Sequence, residues 1–129
     1  MIKTKSVYSK IERTDGLRLL VTRFRGHRLP SNRYQVWMPN LGPSENLLRA
    51  FKAESISWSE FARRYRNELF ESPALDTRNA TIKNHGQKFT LRLLQHLASN
   101  QTITLLCLCD EDEKHCHRHT LQKLLLQKI

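Results

Sequence analysis

The chain has 129 residues, 39% of them apolar and 26% charged, with a formal net charge of +10. That length suits one domain around one core, and the composition is globular rather than disordered. No run approaches the roughly 18 uninterrupted apolar residues of a membrane helix, so no membrane partner is expected. The opening Met1-Ile2-Lys3-Thr4-Lys5-Ser6 lacks the apolar stretch of a secretory leader. The three cysteines all fall late in the chain and make no disulfide framework. A reducing cytoplasm is the compartment this implies.

In chain order, Ser6 to Ile11 reads as a short strand before the turn signal Asp15-Gly16. Leu17 to Phe24 is apolar and β-branched, the pattern of a buried strand. Arg25 to Pro30 is a basic loop, and Tyr34 to Met38 a short strand stopped by Pro39 and Leu41-Gly42-Pro43. Ser44 caps a helix through Lys52 with Leu47, Leu48 and Phe51 on one face. Ser57-Trp58-Ser59-Glu60 has the form of a capping box. It opens a helix whose Trp58, Phe61, Ala62, Tyr65 and Leu69 mark a core-facing stripe. Residues 72–86 are polar and read as a loop. Gln87 to Ser99 follows as a helix with Phe89, Leu93, Leu94 and Leu97 inward. Thr102 to Cys109 is a continuous apolar run, as in the interior of a parallel sheet. His115 to Gln127 is a last helix burying Leu121, Leu124 and Leu125. The order implies a small single-domain α/β fold over residues 1–129, a mainly parallel sheet flanked by helices.

Charge is unevenly spread. Residues 110–129 balance four acids against four bases, so the whole surplus lies in residues 1–109. Residues 17–33 carry Arg18, Arg23, Arg25, Arg28 and Arg33 with no acid. Such a segment favours anionic partners, either a small molecule or nucleic acid.

The densest chemistry lies between the last strand and the last helix. Cys109 ends the strand, Asp110-Glu111-Asp112-Glu113 follow, and Cys116-His117-Arg118 open the helix. Ligand sites of open α/β proteins gather at such strand ends. A cysteine at a helix start has its thiol pKa lowered by the helix dipole, which makes Cys116 a candidate nucleophile with His117 as acid or base. The neighbouring acids oppose that effect, and a structural cysteine is the competing reading. Arg118 can bind phosphate or carboxylate in bidentate fashion, or tie down the acidic loop. Cys109, His115, Cys116 and His119 include metal-ligand types, but the Cys109-to-Cys116 spacing is not that of a zinc knuckle, and neither metal nor cofactor is expected. The four acids read as a solvated loop near a positive helix end.

Several of these segments resemble one family. Gly16-Leu17-Arg18-Leu19-Leu20-Val21-Thr22-Arg23 is similar to its Gly-x-Arg-x-Leu-Val-x-Arg strand. Leu41-Gly42-Pro43-Ser44-Glu45-Asn46-Leu47 is similar to its Ala-Pro-Ser-like helix start. Trp58, Phe61, Tyr65, Glu68 and Leu69 fit its Trp-x-x-Phe-x-x-x-Tyr-x-x-Glu-Leu helix. Cys107-x-Cys109 and Cys116-His117-Arg118 resemble its Cys-x-Cys and Cys-His-Arg block. The family is domain-of-unknown-function family 488, in its YeaO-like group. The resemblance implies a compact α/β domain and no particular activity. The chain departs from the pattern at Thr22, where the family has Asp, and at Phe24-Arg25-Gly26-His27-Arg28, where it has Trp-Pro-Arg-Gly.

Two functional readings follow, beside a third in which the domain is metal-dependent or metal-stabilised. In the first, Arg23, Tyr65, Cys109 and Arg118 bind an anionic small molecule while Cys116 and His117 supply thiol chemistry. In the second, Arg18, Arg25, Arg28, Arg33, Arg63, Arg64 and Arg66 contact nucleic-acid phosphates.

Overall fold

The structure, a computed structural model, describes residues 1–72, 78–79 and 86–129. Among these residues lie four strands, β1 (Ile2–Ser6), β2 (Leu17–Leu20), β3 (Val36–Trp37) and β4 (Ile103–Cys107). Four helices accompany them: α1 (Glu45–Lys52), α2 (Trp58–Phe70), α3 (Lys88–Ala98) and α4 (His117–Leu125). The strands form one sheet in the order β1-β4-β2-β3, with every pair parallel. The expected small α/β fold with a parallel sheet is therefore what the chain adopts.

β4 is central and wholly buried, as its unbroken apolar sequence requires. Its alternate residues serve two different layers. Ile103 and Leu105 join Leu19 in an apolar cluster with Leu47 of α1, Phe61, Tyr65 and Leu69 of α2, Leu91 and Leu94 of α3, and Leu121, Leu124 and Leu125 of α4. Leu106 instead joins Leu20, Val7 and Leu29 in a smaller cluster that contains no helix residue. Gly16 makes the turn into β2 with φ +62°, and a Cβ there would stand 2.0 Å from the carbonyl oxygen of Thr102. Only glycine meets both demands.

A buried ion cluster stands beside the smaller layer. Asp15 is fully buried and accepts from Lys5 Nζ at 3.1 and 3.2 Å, from Lys3 Nζ at 3.3 Å and from Arg18 Nη1. Arg18 also donates Nε to the carbonyl of Arg33 at 3.0 Å. This cluster explains the first difference from the sequence reading. The strand expected over 6–11 is replaced by β1 at Ile2–Ser6, whose lysines are drawn inward by Asp15.

The helix starts behave as their sequences suggest. Ser44 accepts from Leu47 N at 3.2 Å and Ser57 from Glu60 N at 3.2 Å. The reciprocal half of the capping box is not made, because the Glu60 carboxylate engages Arg63 and Arg64 of its own helix. α3 turns a different face inward than its periodicity suggested. Leu91 and Leu94 are buried, whereas Phe89 and Leu93 are 48% and 57% exposed. The strand expected over 17–24 ends at Leu20, and the last helix starts at His117, with Cys116 as its N-cap residue. Most of the polar loop expected over 72–86 lies outside the described residues. No helix among the described residues is long and apolar enough to cross a membrane.

Candidate functional site

The parallel sheet directs the ends of β2 and β4 toward the start of α4, and three sulfur atoms meet there. The Sγ atoms of Cys107, Cys109 and Cys116 all lie within 4.8 Å of one another. Cys107 and Cys109 are two residues apart at the strand end, which turns both thiols to one side. Cys116 comes to them from the helix start. Cys107 and Cys116 are buried, and Cys109 is exposed.

These surroundings decide where negative charge resides. Hydrogen bonding from the Cys107 and Cys116 thiols lowers the Cys109 pKa against the cost of its partial burial, and the Arg118 charge acts in the same direction. The same contacts raise the other two. Cys107 is pushed up to about 11 by its hydrogen bond to Cys109, with burial adding to the rise. Cys116 is raised by its hydrogen bonds to Cys107 and Cys109 and by burial. The shifts favour negative charge on the exposed sulfur of Cys109 over the buried sulfurs of Cys107 and Cys116.

His117 is buried beside this group. Its Nε2 lies 2.7 Å from the carbonyl oxygen of Val21, and its Nδ1 lies 3.9 Å from Cys116 Sγ. A carbonyl only accepts, so Nε2 carries the proton and the bare Nδ1 faces the cysteine. Burial lowers the imidazole pKa despite the Val21 hydrogen bond, which keeps the ring neutral. The Tyr65 ring meets it edge-on, 5.5 Å between centroids. Tyr65 itself is fully buried and donates its hydroxyl to the Leu41 carbonyl, so it supports His117 from the core.

Arg118 is 1% exposed and spends its guanidinium inside the protein. Nη1 donates to Cys107 Sγ at 2.9 Å, and Nη2 donates to the carbonyls of Asp110 and Glu111 at 3.2 and 2.8 Å. It therefore holds the acidic loop, through backbone carbonyls rather than through the carboxylates. That loop is not simply solvated. Glu111 Oε2 accepts from Ser6 N at 2.5 Å and from Ser9 Oγ at 2.7 Å, which clamps it to the end of β1.

Two adjoining cavities open on the sulfur cluster. One of 330 Å³ is lined by Leu48, Phe51, Lys52, Phe61, Cys109, Glu113, His115, Cys116 and His117. The other, of 140 Å³, shares Leu48, Lys52, Cys109 and His117 and adds Cys107, Thr22, Arg23, Phe24, Pro43 and Leu108. Arg23 is fixed at its edge by donating Nε to the Pro43 carbonyl and Nη2 to the Gly42 carbonyl, at 2.9 and 2.8 Å. A Cβ on Gly42 would stand 2.3 Å from the Arg23 backbone nitrogen, so the close approach requires glycine. Cys107 and Lys52 were not among the candidates drawn from the sequence. Cys107 was legible as the partner of Cys109 in a Cys-x-Cys strand end. His115 stacks on Trp58 at 5.1 Å, and His119 Nε2 lies 2.9 Å from the Glu113 carbonyl.

The seven arginines of the nucleic-acid reading are mostly engaged elsewhere. Arg18 is buried against Asp15. Arg33 donates to the carbonyls of Val7 and Ser9. Arg25 donates to the Tyr34 hydroxyl. Arg63 and Arg64 bind Glu60. Arg28 and Arg66 are exposed, and neither makes an ion pair among the described residues.

Comparison with known proteins agrees with the motifs. The uncharacterized proteins Mb3100c of Mycobacterium bovis and Rv3073c of Mycobacterium tuberculosis are each 34% identical over 76 residues, covering 57% of this chain and 64% of theirs. The chain thus spans just under two thirds of these relatives' length. The uncharacterized protein YeaO of Escherichia coli K12 is 28% identical over 106 residues, 81% of this chain and 92% of its own. No solved structure matches the chain. A family model described as the Active DUF488-N3 subclade matches residues 2–129. With that match across nearly the whole sequence, the chain belongs to the DUF488 family.

Proposed function

We propose that the junction of β4 and α4 is a thiol-dependent enzyme site for an anionic small molecule. One observation carries the reading: the exposed Cys109 lies within 4.8 Å of two buried thiols, at a cavity also lined by His117. The nucleophile in this reading is Cys109. Cys116 and His117 serve as the proton path, with the bare Nδ1 of His117 beside the Cys116 thiol. Arg118 supports the cluster from behind through Cys107. Arg23 and Lys52, at the cavity, attract the phosphate or carboxylate of the ligand. Free thiols of this kind require a reducing compartment such as the cytoplasm. The matching model's description as an active subclade supports a catalytic role. The nucleic-acid reading draws less support, since five of its seven arginines are engaged within the fold.

The test is alkylation of the reduced full chain at neutral pH, with the modified cysteine mapped by mass. Cys109 is expected to react at least about 10-fold faster than in the unfolded chain, as for a thiol of lowered pKa. Labelling no faster than in the unfolded chain overturns the proposal.

A further inference from the structure

We infer that Cys107, Cys109 and Cys116 together form a binding site for a thiophilic divalent cation, zinc(II) in particular. The chain has three cysteines, and all three sulfurs lie within 4.8 Å of one another although they come from a strand end and a helix start. Two thiolates on one tetrahedral zinc, each at about 2.3 Å, stand about 3.8 Å apart. From separations of no more than 4.8 Å, the sulfurs need to close by at most about 1 Å to share an ion.

The frame holding them is firm. β4 is hydrogen-bonded to a strand on each side, and α4 buries Leu121, Leu124 and Leu125 in the core. The surroundings also suit the charge. Three thiolates around a divalent ion leave one net negative charge. The Arg118 guanidinium meets it directly, 2.9 Å from Cys107 Sγ, and the start of α4 adds its partial positive charge. Donors to ligating sulfurs of this kind orient the ligands and tune the metal. Among the described residues no carboxylate joins the cluster within the same distance, so the donor set is soft and favours zinc over magnesium or calcium. A fourth position lies toward the 330 Å³ cavity, open to water or to an anion. Binding releases the protons of the thiols to the buffer and involves no change of oxidation state.

This claim does not depend on Cys109 being a nucleophile. A bound ion caps the Cys109 sulfur, so occupancy and alkylation exclude each other. The metal-stripped, reduced full chain without an affinity tag is titrated with cadmium(II). The thiolate-to-metal absorption in the ultraviolet is followed, and zinc(II) is then added as competitor. The expected result is a band that saturates at one equivalent with the intensity of three sulfur ligands and is abolished by zinc. Cys109→Ser, at an exposed position, is expected to lose the one-equivalent endpoint while keeping its circular dichroism. Asp112→Asn, in the acidic loop, is expected to retain it. No band, or a Cys109→Ser chain that titrates like the parent, overturns the inference. Saturable binding without fast alkylation refutes only the thiol enzyme, and fast alkylation without binding refutes only the metal site.

Discussion

His117 Nε2, on the first turn of α4, hydrogen-bonds the Val21 carbonyl one residue beyond β2, at a separation of 2.7 Å. This bond joins the two elements that border the sulfur cluster and fixes which ring nitrogen is bare. His117→Phe keeps a ring of similar size but leaves the buried Val21 oxygen unpaired. The expected cost is about 1–3 kcal/mol, the range for a buried polar group left without its partner. Urea unfolding measures it, and an unchanged midpoint would show that the bond contributes nothing. Removing Nδ1 should also slow Cys109 alkylation in the folded chain.

Arg118 donates hydrogen bonds to Cys107 and to the loop carbonyls of Asp110 and Glu111. Arg118→Lys keeps the charge but replaces a planar fork by a single ammonium. We expect it to lose about 2–4 kcal/mol, consistent with charged hydrogen bonds of about 1.5–3 kcal/mol each. Faster hydrogen exchange around residues 110–113 should accompany the loss. A variant as stable as the parent would mean that Arg118 is held for a ligand rather than for the loop.

Charge selectivity at the cavity offers a third prediction. Arg23 and Lys52 both line it, whereas Arg118 is spent inside. Iodoacetate, an anion, should therefore gain on neutral iodoacetamide as a Cys109 reagent. Arg23→Gln or Lys52→Gln should each reduce the iodoacetate-to-iodoacetamide rate ratio by up to about 5-fold, equivalent to the ~1 kcal/mol of a partly solvated charge pair. An unchanged ratio in both variants would remove the anion from the proposed function.

Much of this arrangement was legible in the sequence because local patterns and tertiary packing agree. β4 reads as a buried strand from its apolar run, and the start of α1 reads from Ser44 alone. Failures occurred where a distant partner overrides the local pattern. Lys3 and Lys5 make β1 look like a surface segment until Asp15, ten or more residues away, pairs with both. In α3 the apolar positions form two overlapping stripes, and only packing against α4 and the sheet selects Leu91 and Leu94. At the site, Cys109, Cys116, His117 and Arg118 were visible as a cluster. Cys107 shows only as the partner of Cys109 in a Cys-x-Cys run, with no sign that its thiol meets Cys116, and the backbone carbonyls that Arg118 binds leave no trace in side-chain identity.

Asp15 links acid stability to the far layer of the sheet. Burial pushes its pKa up, but the Glu12 backbone N–H, Lys5, Lys3 and Arg18 together outweigh burial and hold it well below the ordinary 3.8. The folded chain thus favours the ionised carboxylate more than the unfolded chain does. Its contribution is complete above the unfolded value and is lost as pH falls below 3.8 toward the folded one. Stability of the parent should therefore fall as the medium is acidified from about pH 5, whereas Asp15→Asn should show a shallower slope in that range. At neutral pH the same substitution leaves Arg18 buried without its counter-charge and Lys5 with Glu12 alone. A loss of about 3–5 kcal/mol is expected, as for breaking a buried pair by removing one partner. Urea midpoints of both chains, measured from pH 7 down to pH 3, check the two statements together. Parallel pH profiles would show that the acid sensitivity of the fold arises at other carboxylates.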